Sequence, residues 1–96
     1  MSFKWLNKQG VESDSGFSVQ CTGRFKYEYR EAGRTIELEV EMGFSAGRAC
    51  VSINKNAFER WGVTRAFHTA TQEERERLMN NFKAAMAFQD IDVYVG

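Results

Sequence analysis

Two stretches near the middle of the chain alternate strictly between apolar and polar positions. In RFKYEYR (24–30), Phe25, Tyr27 and Tyr29 share one side, and in TIELEVEM (35–42), Ile36, Leu38, Val40 and Met42 share one side, because successive side chains of a strand point to opposite faces. Both read as strands, 24–31 and 35–42, joined by a turn around Ala32 and Gly33. The aromatic positions are odd-numbered and the aliphatic ones even-numbered, so a loop of two or four residues is needed to bring both sets to one face. That register pairs Tyr29 with Ile36, Tyr27 with Leu38 and Phe25 with Val40. On the reverse face it opposes Lys26 to Glu39, Arg24 to Glu41 and Glu28 to Glu37. The last is a like-charge contact that a two-residue slip would relieve, so the alternation fixes the choice of face more firmly than the register.

Glycines at 10, 16, 23, 33, 43, 47 and 62 separate short alternating runs, which predicts further strands at about 3–6, 17–22 and 48–54. The period changes at Thr71. In TQEERERLMNNFKAAMAFQ, Leu78, Phe82, Ala85 and Met86 recur at the spacing of one helical face, with Met79 beside them. Thr71 followed by Glu74 matches a capping box, and Glu73, Glu74 and Glu76 crowd the end where the helix dipole favours negative charge. A helix to about Phe88 follows. DIDVYVG then puts Ile91, Val93 and Val95 on one side and Asp90, Asp92 and Tyr94 on the other, a short strand placed to dock at an edge. The expected fold is α+β in one domain spanning 1–96: an antiparallel meander of about five to six strands, one long C-terminal helix packed on one face, and a short final strand. Residues 55–70 fit neither period, though Phe58, Trp61 and Phe67 are bulky for a loop.

Thirteen Lys and Arg balance thirteen Asp and Glu, so no net field draws the chain toward nucleic acid or anionic lipid. No stretch has the apolar length of a membrane span, and the opening MSFKWLNKQG has no apolar core of a signal peptide. With only Cys21 and Cys50, far apart, a disulfide scaffold is not indicated, and a cytoplasmic setting is expected. The same two thiols with His68 make the one conceivable nucleophile and base pair. Both cysteines fall in predicted strands, where thiols are poorly accessible, and GFSAGR lacks the lysine and following helix of a phosphate loop. No catalytic residue, metal or cofactor is expected.

Three surfaces remain as candidates for binding. The row Glu37, Glu39 and Glu41 reads first as a solvated sheet face with cross-strand cations, and second as a surface for a partner. Arg60 and Trp61, in FERWG, are residue types that anchor interfaces, although a Trp in so small a domain equally fills a core. Arg24, Lys26, Arg30 and Arg34 with Tyr27 and Tyr29 offer the ingredients of a single-strand nucleic-acid site, but alternation turns the tyrosines away from the cations. An adaptor or nucleic-acid-binding domain using residues 24–34 is the alternative reading.

The order of these features, a short N-terminal strand with Trp, a glycine-punctuated meander, an aromatic linker ending at Trp61 and then EERERLMNNFKAAMAFQDIDVYV, resembles the small α+β immunity proteins of bacterial polymorphic toxin and contact-dependent inhibition systems. The immunity protein 74 family is the member it looks most like, with residues 71–95 carrying most of the likeness. The resemblance implies a non-enzymatic antidote in the bacterial cytoplasm that binds one cognate protein toxin and blocks its active site or a surface it needs for substrate. Many such toxins are basic nucleases, so Glu37, Glu39 and Glu41, with Asp90 and Asp92, would stand in for phosphates. Nuclease antidotes are often acidic and this chain is balanced, which requires either local segregation of charge or a different kind of toxin. An exposed edge beside the final strand also leaves room for a homodimer.

Overall fold

The strict alternation of the middle of the chain is realised as a sheet with one dry and one wet face. The computed structural model describes residues 2–58, 60–61, 68–69 and 71–96, with 60–61 and 68–69 described by their backbone. Its strands are β1 (Phe3–Asn7), β2 (Gly10–Ser13), β3 (Phe17–Gly23), β4 (Lys26–Glu31), β5 (Arg34–Ser45), β6 (Arg48–Ile53), the short pair β7 (Arg60–Trp61) and β8 (His68–Thr69), and β9 (Asp92–Val95), with helix α1 (Gln72–Phe88) between β8 and β9. Seven strands form one sheet in the order β1-β2-β3-β4-β5-β6-β9.

β1 to β6 are an antiparallel meander. β9 departs from the antiparallel expectation, since it pairs parallel to β6 and makes the sheet mixed. A strand reached through a helix that lies across the sheet returns in the direction from which it left, as in any crossover connection. β2, absent from the expected strands, has only Val11 as a large apolar residue, too little alternation to register in four residues.

The β4/β5 register is the one that parity demands: Tyr29 opposes Ile36 and Tyr27 opposes Leu38. The connection is two residues long, with Ala32 at φ 50° and Gly33 at φ 76°, and the β5/β6 connection repeats it with Ala46 at 53° and Gly47 at 77°. Both central residues at positive φ is the turn whose twist matches a right-twisted hairpin.

Three residues expected on the core face stay exposed. Phe25 is 45% exposed because β4 begins one residue later; Phe25 sits in the β3/β4 turn at φ 66°, where its C=O still accepts from the Val40 N–H at 2.9 Å but its ring points away. Met42 is 39% exposed although its ladder partner Val51 is buried. Arg24 likewise lies in the turn rather than opposite Glu41, whose ladder partner is Ser52. Val95, expected on the apolar face, remains 41% exposed at the edge.

Helix α1 covers the dry face with Leu78, Phe82, Ala85 and Met86, all fully buried. Its N-terminus carries the capping box: Thr71 Oγ1 accepts from Glu74 N–H at 3.1 Å and Glu74 Oε1 accepts from Thr71 N–H at 3.2 Å. At the other end Ile91 N–H donates to Met86 C=O and Asp90 N–H to Ala87 C=O, both at 3.0 Å, with Asp90 at φ 63°. This is a Schellman cap with Asp in the position usually held by Gly.

An aromatic cluster fills the space between helix and sheet. Tyr29 stacks on Phe17 at 5.4 Å and meets Phe58 edge-on at 5.6 Å, while Tyr27 meets Phe82 edge-on at 5.9 Å. Near the helix C-terminus Phe88 packs on Phe3 and Trp5, at 5.5 and 5.7 Å, so the β1 side of the sheet folds up against the helix. Burial pushes the Tyr27 phenol up to about 12, aided by the neighbouring Cys21.

The buried Tyr29 hydroxyl ties the two layers together. It donates to Glu31 Oε1 at 2.9 Å and accepts from Asn81 Nδ2 at 3.0 Å, and Arg77 donates to the same Glu31 oxygen at 2.6 Å. Burial would raise the Glu31 carboxyl, but the hydrogen bonds from Arg77 and Tyr29 and the charges of Arg77 and Arg34 outweigh it and hold the group below the usual glutamate value. A carboxyl depressed in the folded state stabilises the fold fully above its unfolded value of about 4.5 and loses that contribution as pH falls through the folded value. Glu31→Gln should therefore cost stability at pH 7 and progressively less from pH 4.5 downward, so urea midpoints of wild type and variant should converge as the pH falls through the folded value; a constant difference between them would contradict the role given to this carboxylate.

Candidate functional site

The wet face of the sheet carries a row of carboxylates. Alternation in β5 sends Glu37, Glu39 and Glu41 to this face, and all three are exposed. Glu37 opposes Glu28 in the ladder, so the like-charge contact is real. It is tolerated because each carboxylate has its own cation: Lys26 Nζ lies 3.1 Å from Glu37, and Arg30 pairs with Glu28. These pairs, Lys26 to Glu37 diagonally across the ladder and Arg30 to Glu28 along β4, remove the reason for a register slip.

Lys26 is the ladder partner of Glu39, yet its ammonium goes to Glu37. Among the described residues, neither the Glu39 nor the Glu41 carboxylate makes an ion pair or a hydrogen bond. They stand two positions apart on one strand, roughly 7 Å along its axis. Both line an open depression of about 490 Å³ together with Ser52, Asn54 and Gly96. Ser52 is set beside Glu41 by the β5/β6 register, and Asn54 Oδ1 already accepts from the Asn56 N–H at 2.8 Å. Chemically this is a carboxylate pair with hydroxyl and amide neighbours, a surface suited to ammonium or guanidinium groups.

Asp90 and Asp92 are held elsewhere. Arg48 at the start of β6 donates from Nε to Asp92 Oδ2 at 3.0 Å and from one terminal nitrogen to Asp92 Oδ1 at 3.1 Å and Asp90 Oδ1 at 2.9 Å. These hydrogen bonds raise the Arg48 guanidinium further and hold Asp92 below the usual aspartate value. Asp92 shares the wet face through its ladder partner Cys50, but Asp90 belongs to the helix cap rather than the strand. The structure thus separates two free glutamates from two aspartates already committed to clasping β9 onto β6.

The side chains of Arg60 and Trp61 lie outside the described residues, as do Phe67 and the imidazole of His68, so the choice between core and display for Trp61 is not decided by the fold described above; Phe58 is core, at 1% exposure. Cys21 and Cys50 project to opposite faces, Cys21 beside Tyr27 and Cys50 beside Asp92. In the basic stretch, Tyr27 and Tyr29 are buried, Lys26 and Arg30 are ion-paired, and the Arg24 guanidinium lies 5.3 Å from the centre of the Phe25 ring. Only Phe25 is left there as an exposed aromatic.

Ser52 and Asn54 were not among the residues singled out from the sequence. A signal for them exists: even-numbered positions of RACVSIN alternate with Val51 and Ile53, and a two-residue turn at Ala46 and Gly47 puts Ser52 opposite Glu41. Arg48, distant in sequence from the aspartates it binds, left no local trace. The sequence matches no family model, and comparison with curated proteins and with solved structures finds no significant match.

Carboxylates without intramolecular partners contribute little to the fold. Reversing both, Glu39→Lys with Glu41→Lys, should change unfolding free energy by no more than about 0.5 kcal/mol in chemical denaturation, whereas a large loss would mean that these groups are structural.

Proposed function

We propose that the chain is an immunity protein that binds a cognate toxin in the bacterial cytoplasm and neutralises it by occupying a basic surface of that toxin. The observation that carries this reading is the pair of unpartnered carboxylates, Glu39 and Glu41, held on the wet face of a sheet whose other face is locked by a helix. Such a surface is organised before the partner arrives, which lowers the ordering cost of association. Carboxylates free to meet lysines or arginines steer encounter and fix orientation more than they add raw affinity. Glu37, half-committed to Lys26, extends the row.

The balanced net charge is compatible with this role. Lys4 pairs with Glu12, Arg48 with Asp90 and Asp92, and Arg77 with Glu31, so on the sheet several charges cancel in local pairs while Glu39 and Glu41 stand side by side without one. The biological role in this reading is the one implied by the resemblance of residues 71–95 to immunity proteins; the surface offers a physical means. No covalent chemistry is required of the chain.

The alternative, a nucleic-acid-binding domain using residues 24–34, has one observation in its favour, the exposed Phe25 beside Arg24. Retention on single-stranded DNA at moderate salt, lost in Arg24→Ala with Lys26→Ala, would favour it over the first reading.

The test of the first is co-expression with the C-terminal domain of the toxin encoded beside it, scored by bacterial survival, followed by association kinetics. Reversal of Glu37, Glu39 and Glu41 should slow association by roughly tenfold or more at low ionic strength and flatten or invert its salt dependence. Rates that stay the same across salt for wild type and variant would remove the carboxylate row from the mechanism, and loss of survival despite intact folding would remove the immunity role.

A further inference from the structure

The two edges of the sheet are built differently. β1 carries Lys4 and an irregular register between Trp5 and Asn7, both of which discourage another strand from adding. β9 has neither: its ladder with β6 is regular, and Val93, Tyr94 and Val95 are all strong strand formers. Among the described residues, no strand pairs with its outer side.

The hydrogen bonds say which groups that edge presents. Gly96 N–H donates to Ile53 C=O at 3.1 Å, and Lys55 N–H donates to Gly96 C=O at 3.0 Å. In a parallel pair such residues alternate, so Asp92 and Tyr94 turn their backbone groups toward β6 as Gly96 does. Val93 and Val95 therefore turn their N–H and C=O outward. Tyr94 and Val95 are also 50% and 41% exposed.

We propose that this edge pairs antiparallel with the same edge of a second copy, about a two-fold axis at Tyr94. The parity of the outward groups restricts the choice of register, because odd-numbered residues must oppose odd-numbered ones. Setting Val93 against Val95 of the second copy gives every outward N–H and C=O of both strands a partner in two closely spaced pairs. Tyr94 then faces its own copy at the non-hydrogen-bonded position, where side chains approach most closely. Asp92, already clasped by Arg48, opposes Gly96 of the second copy, so no like charges meet. Sliding one pair toward the helix would bring in Ile91, whose N–H is already given to Met86 C=O. The contact is isologous, closing at two copies, and it does not rest on the functional reading above.

Sedimentation velocity and light scattering up to about 100 µM should give a mass twice the 11.0 kDa of the chain. Val95→Pro deletes an outward N–H while leaving the β6 ladder intact, a site where an edge strand accepts proline; it should raise the dimer dissociation constant by about tenfold or more with an unchanged circular dichroism spectrum. Should that variant fail to fold, Tyr94→Cys in a background of Cys21→Ser and Cys50→Ser decides the matter, since opposed residues at this position lie within disulfide reach and should cross-link under mild oxidation. A monomer throughout the concentration range, a dimer indifferent to Val95→Pro, or the absence of a Tyr94→Cys cross-link would overturn the proposal.

Discussion

The fold turns on one buried side chain. Tyr29 has no exposed surface, stacks on Phe17, abuts Phe58, and uses its hydroxyl to join Glu31 of the sheet to Asn81 of the helix. A phenol in such a place must have its hydrogen bonds satisfied, because an unmet polar group there costs on the order of 1 to 3 kcal/mol. Meeting them requires the helix to present Asn81 and Arg77 at one height over β4. That requirement fixes which face of β4 is dry, and through the β4/β5 register it fixes the face of every residue in β5.

The carboxylates are wet as a consequence. Once Tyr27, Tyr29, Leu38 and Val40 are committed to the helix, residues 37, 39 and 41 have only solvent to face. Cations on β4 then divide the row, with Lys26 drawn to Glu37 and Arg30 to Glu28, and leave Glu39 and Glu41 beside β6 without partners among the described residues. A negative site arises on a neutral molecule without any residue being strained. On the same face, beyond β6, Arg48 applies the same chemistry to a structural end, holding the start of β9 against β6.

Much of this was written in local patterns. Parity in 24–42 gave the β4/β5 pairing and the faces, and Leu78, Phe82, Ala85 and Met86 gave the buried stripe of α1 with its capping box, because alternation and helical period are properties of a few neighbouring residues. What escaped is non-local. The direction of β9 depends on where the crossover lets the chain return, not on DVYV itself. Phe25 and Met42 obey the alternation yet stay partly exposed, Phe25 because it falls in a turn and Met42 although its ladder partner Val51 is buried. The partition of Glu37, Glu39 and Glu41 into paired and unpaired groups depends on which way Lys26 leans, and the capture of Asp90 and Asp92 by Arg48 depends on a contact between distant parts of the chain. The core was therefore more legible than the surface on which the proposed function rests.

The proposed binding mode requires that a toxin cover the wet face at β5 and β6. Carboxyl footprinting with a water-soluble carbodiimide, read by mass spectrometry on the free chain and on its complex with the cognate toxin, reports it directly. Glu39 and Glu41 should label readily in the free chain and become protected in the complex, while Glu73 and Glu76 at the start of the helix label equally in both. Equal labelling of Glu39 and Glu41 in the two states, with protection appearing on the helix instead, would contradict the account.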